Sequence, residues 1–239
     1  MLLAMKRTII ITDLTRFRDE TIVCIAGIDR RTGECIRPMP YPQITWCKKL
    51  NILPGAILTG DFTASTDRNG PHQEDCRYAN LTFLGPCSSS DFRNLLVSSL
   101  FATVEEGFEK TFELSQKHIP VGHPVKRSII TIAMSPAHVS IVADSYKPGR
   151  IKVHFTDQSG HDFRYIPITD LGFHDYAMQH HAKDDLKALN ARIHAQDEVL
   201  LRLGLSRSYK AKNDIEGYWL QANGIYTFPD YHKAIRSYT

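Results

Sequence analysis

The chain has little of what a covalently or metal-stapled small domain needs. Its five cysteines, Cys24, Cys35, Cys47, Cys76 and Cys87, are odd in number, confined to the first half and never spaced Cys-x-x-Cys. That pattern argues against a disulfide framework and against a zinc ribbon. No apolar run approaches 18 residues, and the opening Met-Leu-Leu-Ala-Met is too short for a secretory h-region. These absences predict a protein of a reducing cytoplasm with no membrane partner, and they make Met5-Lys6-Arg7 a candidate functional start.

Charge of one sign is also scarce. The formal net charge is +3, from 29 Lys+Arg against 26 Asp+Glu. Residues 1 to 120 hold 14 basic and 14 acidic side chains, and residues 121 to 239 hold 15 and 12. A protein gripping duplex nucleic acid mainly through phosphates would carry a strongly basic footprint, so a local basic groove is the most this balance permits. Signatures of catalysis are missing too: there is no Gly-x-Gly-x-x-Gly, no Gly-Lys-Ser/Thr loop, no Gly-x-Ser-x-Gly and no His-Glu-x-x-His. This leans away from an enzyme, assigns no catalytic residue and implies no cofactor, although sites assembled from distant residues leave no local trace.

What is present is an ordinary globular composition, 42% hydrophobic and 23% charged over 239 residues. That length accommodates one large or two small domains, at about 100 to 200 residues each. Thr8 to Thr12 and Thr21 to Asp29 have the β-branched composition of buried strands. The loop Asp29-Arg30-Arg31-Thr32-Gly33-Glu34 leads into Cys35-Ile36-Arg37 and is halted by Pro38. Further strands are expected over residues 53 to 65 and 77 to 84, a spacing that suits a small barrel or sandwich. A second β series runs through residues 127–134, 139–143, 150–156 and 162–168. Its loop Asp157-Gln158-Ser159-Gly160-His161 echoes the loop at Asp29, which suggests two similar β units joined near Pro120, Gly122 and Pro124. Helical spacing recurs in two places. Phe92, Leu95, Leu96, Leu100 and Val104 predict helix within residues 90–116; Leu186, Leu189, Ile193, Val199 and Leu200 predict it over residues 183–203, with Gly204 as C-cap.

The run from Tyr218 to Tyr231 gathers Trp219, Tyr226 and Phe228 around Asn223-Gly224, and it predicts a C-terminal hairpin turning at the Asn-Gly pair. One face of such a hairpin would be core and the other could stack on flat ligands, although burial will claim most of the rings. Two segments combine cations with aromatic rings. Trp46, Lys48 and Lys49 follow the proline-rich loop from Pro38 to Pro42, and Arg207, Tyr209, Lys210 and Lys212 precede the aromatic run. Such groups neutralise phosphates and stack bases of a single strand, and a solvated loop explains each segment about equally well.

His174, Asp175, His180 and His181, followed by Asp184 and Asp185, form the densest ionisable cluster. His174 and His181 at i, i+7 would share a helical face and could hold a divalent metal for hydrolysis, while ordinary surface histidines and favourable first-turn aspartates explain the cluster more simply. His72 and Cys76, four residues apart, or Cys87, could serve a metal or a reactive thiol; scattered buried thiols are commoner, and Cys24 alternates within a hydrophobic strand as core.

Three segments together, Lys6 to Thr15, Cys24 to Pro38 and Trp219 to Tyr226, resemble the dual OB-containing domain family of prokaryotes over nearly the whole chain from Met5. The resemblance implies a mainly β, α+β chain of two tandem OB-like barrels, residues 5–120 with a helical segment and residues 121–239 with the long helix and the C-terminal hairpin. It also implies a binding or sensing role toward single-stranded nucleic acid or a nucleotide-like ligand, in systems that respond to foreign genetic elements. OB folds take oligonucleotides on a strand face flanked by loops, which makes Arg37, Trp46, Lys48 and Lys49 candidates in the first unit and Arg207, Tyr209, Lys210 and Lys212 in the second. A metal-assisted hydrolase on the His/Asp cluster and a protein-interaction module with an exposed apolar patch are the competing expectations.

Overall fold

The computed structural model describes residues 4–66, 68, 70–211 and 214–230. Five strands, β1 (Met5–Arg16), β2 (Val23–Asp29), β3 (Cys35–Met39), β4 (Ala56–Ala64) and β5 (Asp75–Pro86), close into a barrel in the order β1-β2-β3-β5-β4. Its pairings are antiparallel except β3 with β5, and α1 (Ile44–Leu50) fills the crossover between β3 and β4. The Ile-Ile-Ile run that made β1 legible is buried on both sides. Ile9 and Ile11 fill the barrel with Leu14, Ile25, Leu58 and Phe62, whereas Ile10 faces outward into a second apolar layer. Burying such a side chain stabilises by about 1.5 to 3 kcal/mol, so a strand buried on two faces anchors both layers.

After the barrel come α2 (Ser89–Val97), β6 (Leu100–Phe101), α3 (Val104–Phe108), β7 (His118–Pro120) and β8 (Ile129–Met134). The chain continues with β9 (Val139–Ala143), β10 (Ile151–Thr156), β11 (Asp162–Pro167), α4 (Leu171–Ala182), α5 (Leu186–His194), β12 (Glu198–Leu205), β13 (Tyr209–Lys210) and β14 (Glu216–Phe228). One sheet runs β11-β10-β9; the other runs β13-β14-β12-β8-β6, with β7 paired to β14. The chain is thus mainly β with added helices, a closed five-stranded barrel joined to a partly open one, in keeping with two OB-like units.

The helical stretches are shorter than their spacing suggests. Within residues 90–116, α2 stops because the hydroxyls of Ser98 and Ser99 donate back to the carbonyls of Leu95 and Leu96, and Thr103 then caps α3 by accepting from the Glu106 N–H. Between residues 183 and 203 only α5 is helical. Val199 and Leu200 lie in β12, and Gly204 is a strand residue, not a C-cap. Residues Val199 to Leu205 are all buried, and a short apolar run buried on both faces mimics a helical face in its spacing.

The Asn223-Gly224 turn does not form. Both residues lie inside β14, where Gly224 pairs with Arg202 and Ala222 with Leu203, so that Asn223 bulges out of the ladder. Asp170, at the start of α4, explains the bulge: its side chain accepts from the N–H groups of Phe173 and Ile225, and the carbonyl of Ala222 accepts from Thr169 and Asp170. The local hairpin is instead the one between β13 and β14. Tyr218 joins the second core and Tyr226 and Phe228 the layer between the units, which leaves Trp219 half-buried at the surface; Tyr231 lies outside the described residues.

Candidate functional site

The two units are held together by buried polar contacts as well as by the layer of Ile10, Phe92, Leu96, Leu200, Tyr226 and Phe228. Arg202 of β12 reaches into the first barrel, where its Nε and Nη2 donate to Asp13 Oδ2 at 3.1 and 2.9 Å. Burial opposes the charge on Arg202, but the Asp13 carboxylate outweighs it and holds the guanidinium pKa above its ordinary value. Glu74 accepts from the N–H and hydroxyl of Ser128 and from the N–H of Ile129, and Tyr226 donates its hydroxyl to the Thr12 carbonyl at 2.6 Å.

Beside these contacts opens a cleft of about 720 Å³. The first unit contributes Phe17, Arg37, Tyr41 and His72 to its wall. Arg37 is placed by the parallel pairing of β3 with β5, which sets it against Asp75; its Nε donates to Asp75 Oδ1 at 2.6 Å. Across the cleft Arg207 closes a chain of contacts. Its Nη1 pairs with Asp75 Oδ2 at 2.8 Å, and its Nε and Nη2 donate to the Tyr41 hydroxyl at 3.1 and 3.0 Å. Burial alone would raise the pKa of Asp75, but Arg207 and Arg37 hold it below the usual carboxylate range. Burial, with the Arg37 and Arg207 charges, pushes His72 down to about 3, so its ring is neutral. Among the described residues His72 Nδ1 and Arg37 Nη2 are buried without a hydrogen bond, and Arg37 Nη2 lies 3.9 Å from Glu74 Oε2.

The second unit supplies Lys117, Lys147 and Lys152, the rings of Tyr165, Tyr209 and Trp219, and the loop following β12. Trp219 Nε1 donates to the Tyr209 carbonyl, and the indole lies 4.8 Å from the His118 ring. Five cations and five aromatic rings therefore face one ligand-sized space, in a chain whose overall charge is almost balanced. Such a site can neutralise anionic oxygens and stack a planar group.

Of the residues singled out from the sequence, the structure brings Arg37, Arg207 and Tyr209 to this cleft. Trp46 packs on the barrel core from α1, and Lys48 and Lys49 occupy the exposed last turn of that helix; none of the three lines the cleft. Lys210 pairs with Asp214 at 3.1 Å and also stays outside it, and Lys212 lies outside the described residues. Lys117, Lys147, Lys152 and Tyr165 went unread. Only the turn Tyr146-Lys147-Pro148-Gly149-Arg150, basic and aromatic between two strands, carried a signal.

The His/Asp cluster stays as separate pairs. His174 Nδ1 lies 3.2 Å from Asp175 Oδ1 and its Nε2 lies 3.3 Å from Arg16, while His180 sits 3.3 Å from Asp185; His181 joins neither pair. Among the described residues no three His, Cys, Asp or Glu side chains converge as a metal would require. His72 and Cys76 also part company. Cys76 lines a different cavity of about 660 Å³ and accepts from Arg68. Burial raises the pKa of Cys24 to about 11 and of Cys35 to about 12, and raises those of Cys76 and Cys87 as well, which keeps these thiols protonated and unreactive. No helix among the described residues is long and apolar enough to cross a membrane.

A family model described as a dual OB-containing domain matches residues 7–225. No curated protein matches the chain. Among solved structures, the crystal structure of the Ifi202 HINa domain in complex with 20bp dsDNA aligns over 95% of this chain and 96% of that one, at 8% identity and a TM-score of 0.36, a likeness too loose to bear on ligand or mechanism.

Proposed function

The chain belongs to the dual OB-containing domain family, and from that membership we propose that it is a binding module for single-stranded nucleic acid or a nucleotide-like ligand, held in the cleft between its two units. One observation carries the reading: cations and aromatic rings converge on that cleft from both units. OB folds use strand faces and flanking loops to bind oligonucleotides, with stacking contributing about 1 to 3 kcal/mol per base and cations neutralising phosphates. The loop after β12, bearing Arg207, and the start of β13, bearing Tyr209, line the cleft as such flanking segments do. Among the described residues the most exposed large apolar side chains are Leu114, Tyr146, Tyr209 and Leu84; they lie on separate segments and Tyr209 lines the cleft itself, which favours a groove-type ligand over a protein docked on an apolar patch.

Fluorescence anisotropy with a short single strand, titrated with salt, tests the proposal. Affinity should fall as salt rises, and Arg207→Ala with Tyr209→Ala should weaken it by roughly tenfold or more, measured well below the variant's own melting temperature because Arg207 also pairs with Asp75. Unchanged affinity in the double variant would remove the cleft from the reading.

A further inference from the structure

Three lysines line the second-unit wall of the cleft around one carboxylate, which among the described residues pairs with Lys152 alone. Lys152 Nζ stands 3.8 Å from Asp144 Oδ2, and the other oxygen of Asp144 is taken by the turn, accepting from the N–H groups of Tyr146 and Lys147. Lys117 Nζ lies 5.4 Å from the centre of the Tyr165 ring, and Lys147 is exposed at the rim. Among the described residues neither Lys117 nor Lys147 pairs with a carboxylate. With Arg150, which also acts on Lys152, four positive charges against one negative leave about three in excess around this corner. Burial lowers the pKa of Lys117; it also lowers that of Lys152, where the charges of Lys147, Arg150 and Lys117 add to the effect and Asp144 opposes it. The corner repels itself until an anion enters.

Charge and size select the anion. An internal phosphodiester brings about one negative charge, whereas a phosphomonoester carries about 1.5 to 2 at neutral pH and offsets more of the excess here. A space of about 720 Å³ is of the order of a small-molecule pocket, while an open OB groove follows roughly 4 to 16 nucleotides. We propose that the Lys117, Lys147 and Lys152 corner holds the terminal phosphate of a nucleotide, free or at the end of a single strand, with its base against the aromatic rings of the same cleft. This rests on the reading of the cleft as a nucleotide-ligand site and specifies which part of that ligand it selects.

The test uses the full chain and internally labelled single strands of one sequence, with hydroxyls at both ends, with a 5′-phosphate or with a 3′-phosphate. A nucleoside monophosphate and its nucleoside serve as competitors. One phosphorylated strand should bind about tenfold tighter than the hydroxyl-ended strand, and Lys147→Gln should cut that advantage below about twofold, weakening the phosphorylated strand more than the hydroxyl-ended one. Lys147 is the position of choice because it is exposed, whereas Lys152→Gln would strip Asp144 of its partner. If the monophosphate competes, the nucleoside does not and no strand end is favoured, the proposal holds with a free nucleotide as ligand. Equal binding of all strands, with nucleoside and monophosphate competing alike, overturns the phosphate corner and leaves the cleft reading standing. An advantage undiminished in Lys147→Gln and in Lys117→Gln overturns the assignment to this corner. Failure of every probe to bind overturns both readings.

Discussion

Asp13 and Arg202 are each nearly wholly buried, and each makes the other tolerable. A buried charge stripped of its partner costs about 3 to 5 kcal/mol, whereas replacing both members of a pair by apolar groups is often close to neutral. Asp13→Ala and Arg202→Met should therefore each destabilise the protein by several kcal/mol in urea unfolding, and the double variant should recover much of that loss. Simple additivity of the two single losses would show that the pair is not coupled. His72 gives a second prediction at this scale. Its pKa lies near 3 when folded and near 6.5 when unfolded, so between those values the unfolded chain binds the extra proton. The contribution to stability is complete above about pH 6.5 and is lost as pH falls toward 3, the loss reaching about 3 kcal/mol by about pH 4.5. His72→Gln should flatten that part of the stability profile. A variant that loses as much stability on acidification as the parent would place the acid sensitivity elsewhere.

The bulge in β14 is the element that departs furthest from its sequence pattern. A Cβ on Gly224 would stand 2.5 Å from Tyr226 Cε2 and 2.7 Å from its hydroxyl oxygen, and that ring is buried and tied to Thr12. Gly224→Ala should cost about 1 to 3 kcal/mol through this clash, and much less in a Tyr226→Leu background. A turn glycine would behave differently, because a positive φ penalises alanine whatever lies nearby, but Gly224 has no such φ. The strands themselves were readable wherever one or both faces were buried, as in Thr8 to Thr12 and Val139 to Ala143. Asn223-Gly224 misled because a dipeptide signals a turn only when its neighbours leave the strand, and the Asp170 contacts that keep β14 running come from 55 residues away. The cleft was legible at Arg207 and Tyr209, where cations and rings are consecutive. Lys117, Lys147 and Lys152 were not, since they come together only through the fold and sit on segments with different patterns.

At the scale of the molecule the two units share more than a linker. The helices α2 and α3 follow the first barrel in sequence, yet Val104, Phe108, Phe112 and Ile119 belong to the core of the second unit, and β6 and β7 pair with its strands. These contacts move the cut that we propose between the units from residue 120 to near residue 87, so a fragment beginning there should retain tertiary structure that one beginning at residue 121 lacks. Circular dichroism in the aromatic region distinguishes the two, and equal signals would return the cut to residue 120. Separation carries a cost in either case: it exposes Ile10, Tyr226 and Phe228 and deprives Asp13, Glu74 and Asp75 of partners across the boundary. Neither unit can open without breaking several of these contacts together. The whole chain should therefore unfold on heating in one cooperative transition, with calorimetric and van't Hoff enthalpies in agreement. Asp13→Asn should weaken the coupling enough to broaden or split that transition. Two well-resolved transitions in the unmodified chain would mean that the cleft lies between independently stable units, and that a ligand gripping both walls must supply the coupling itself.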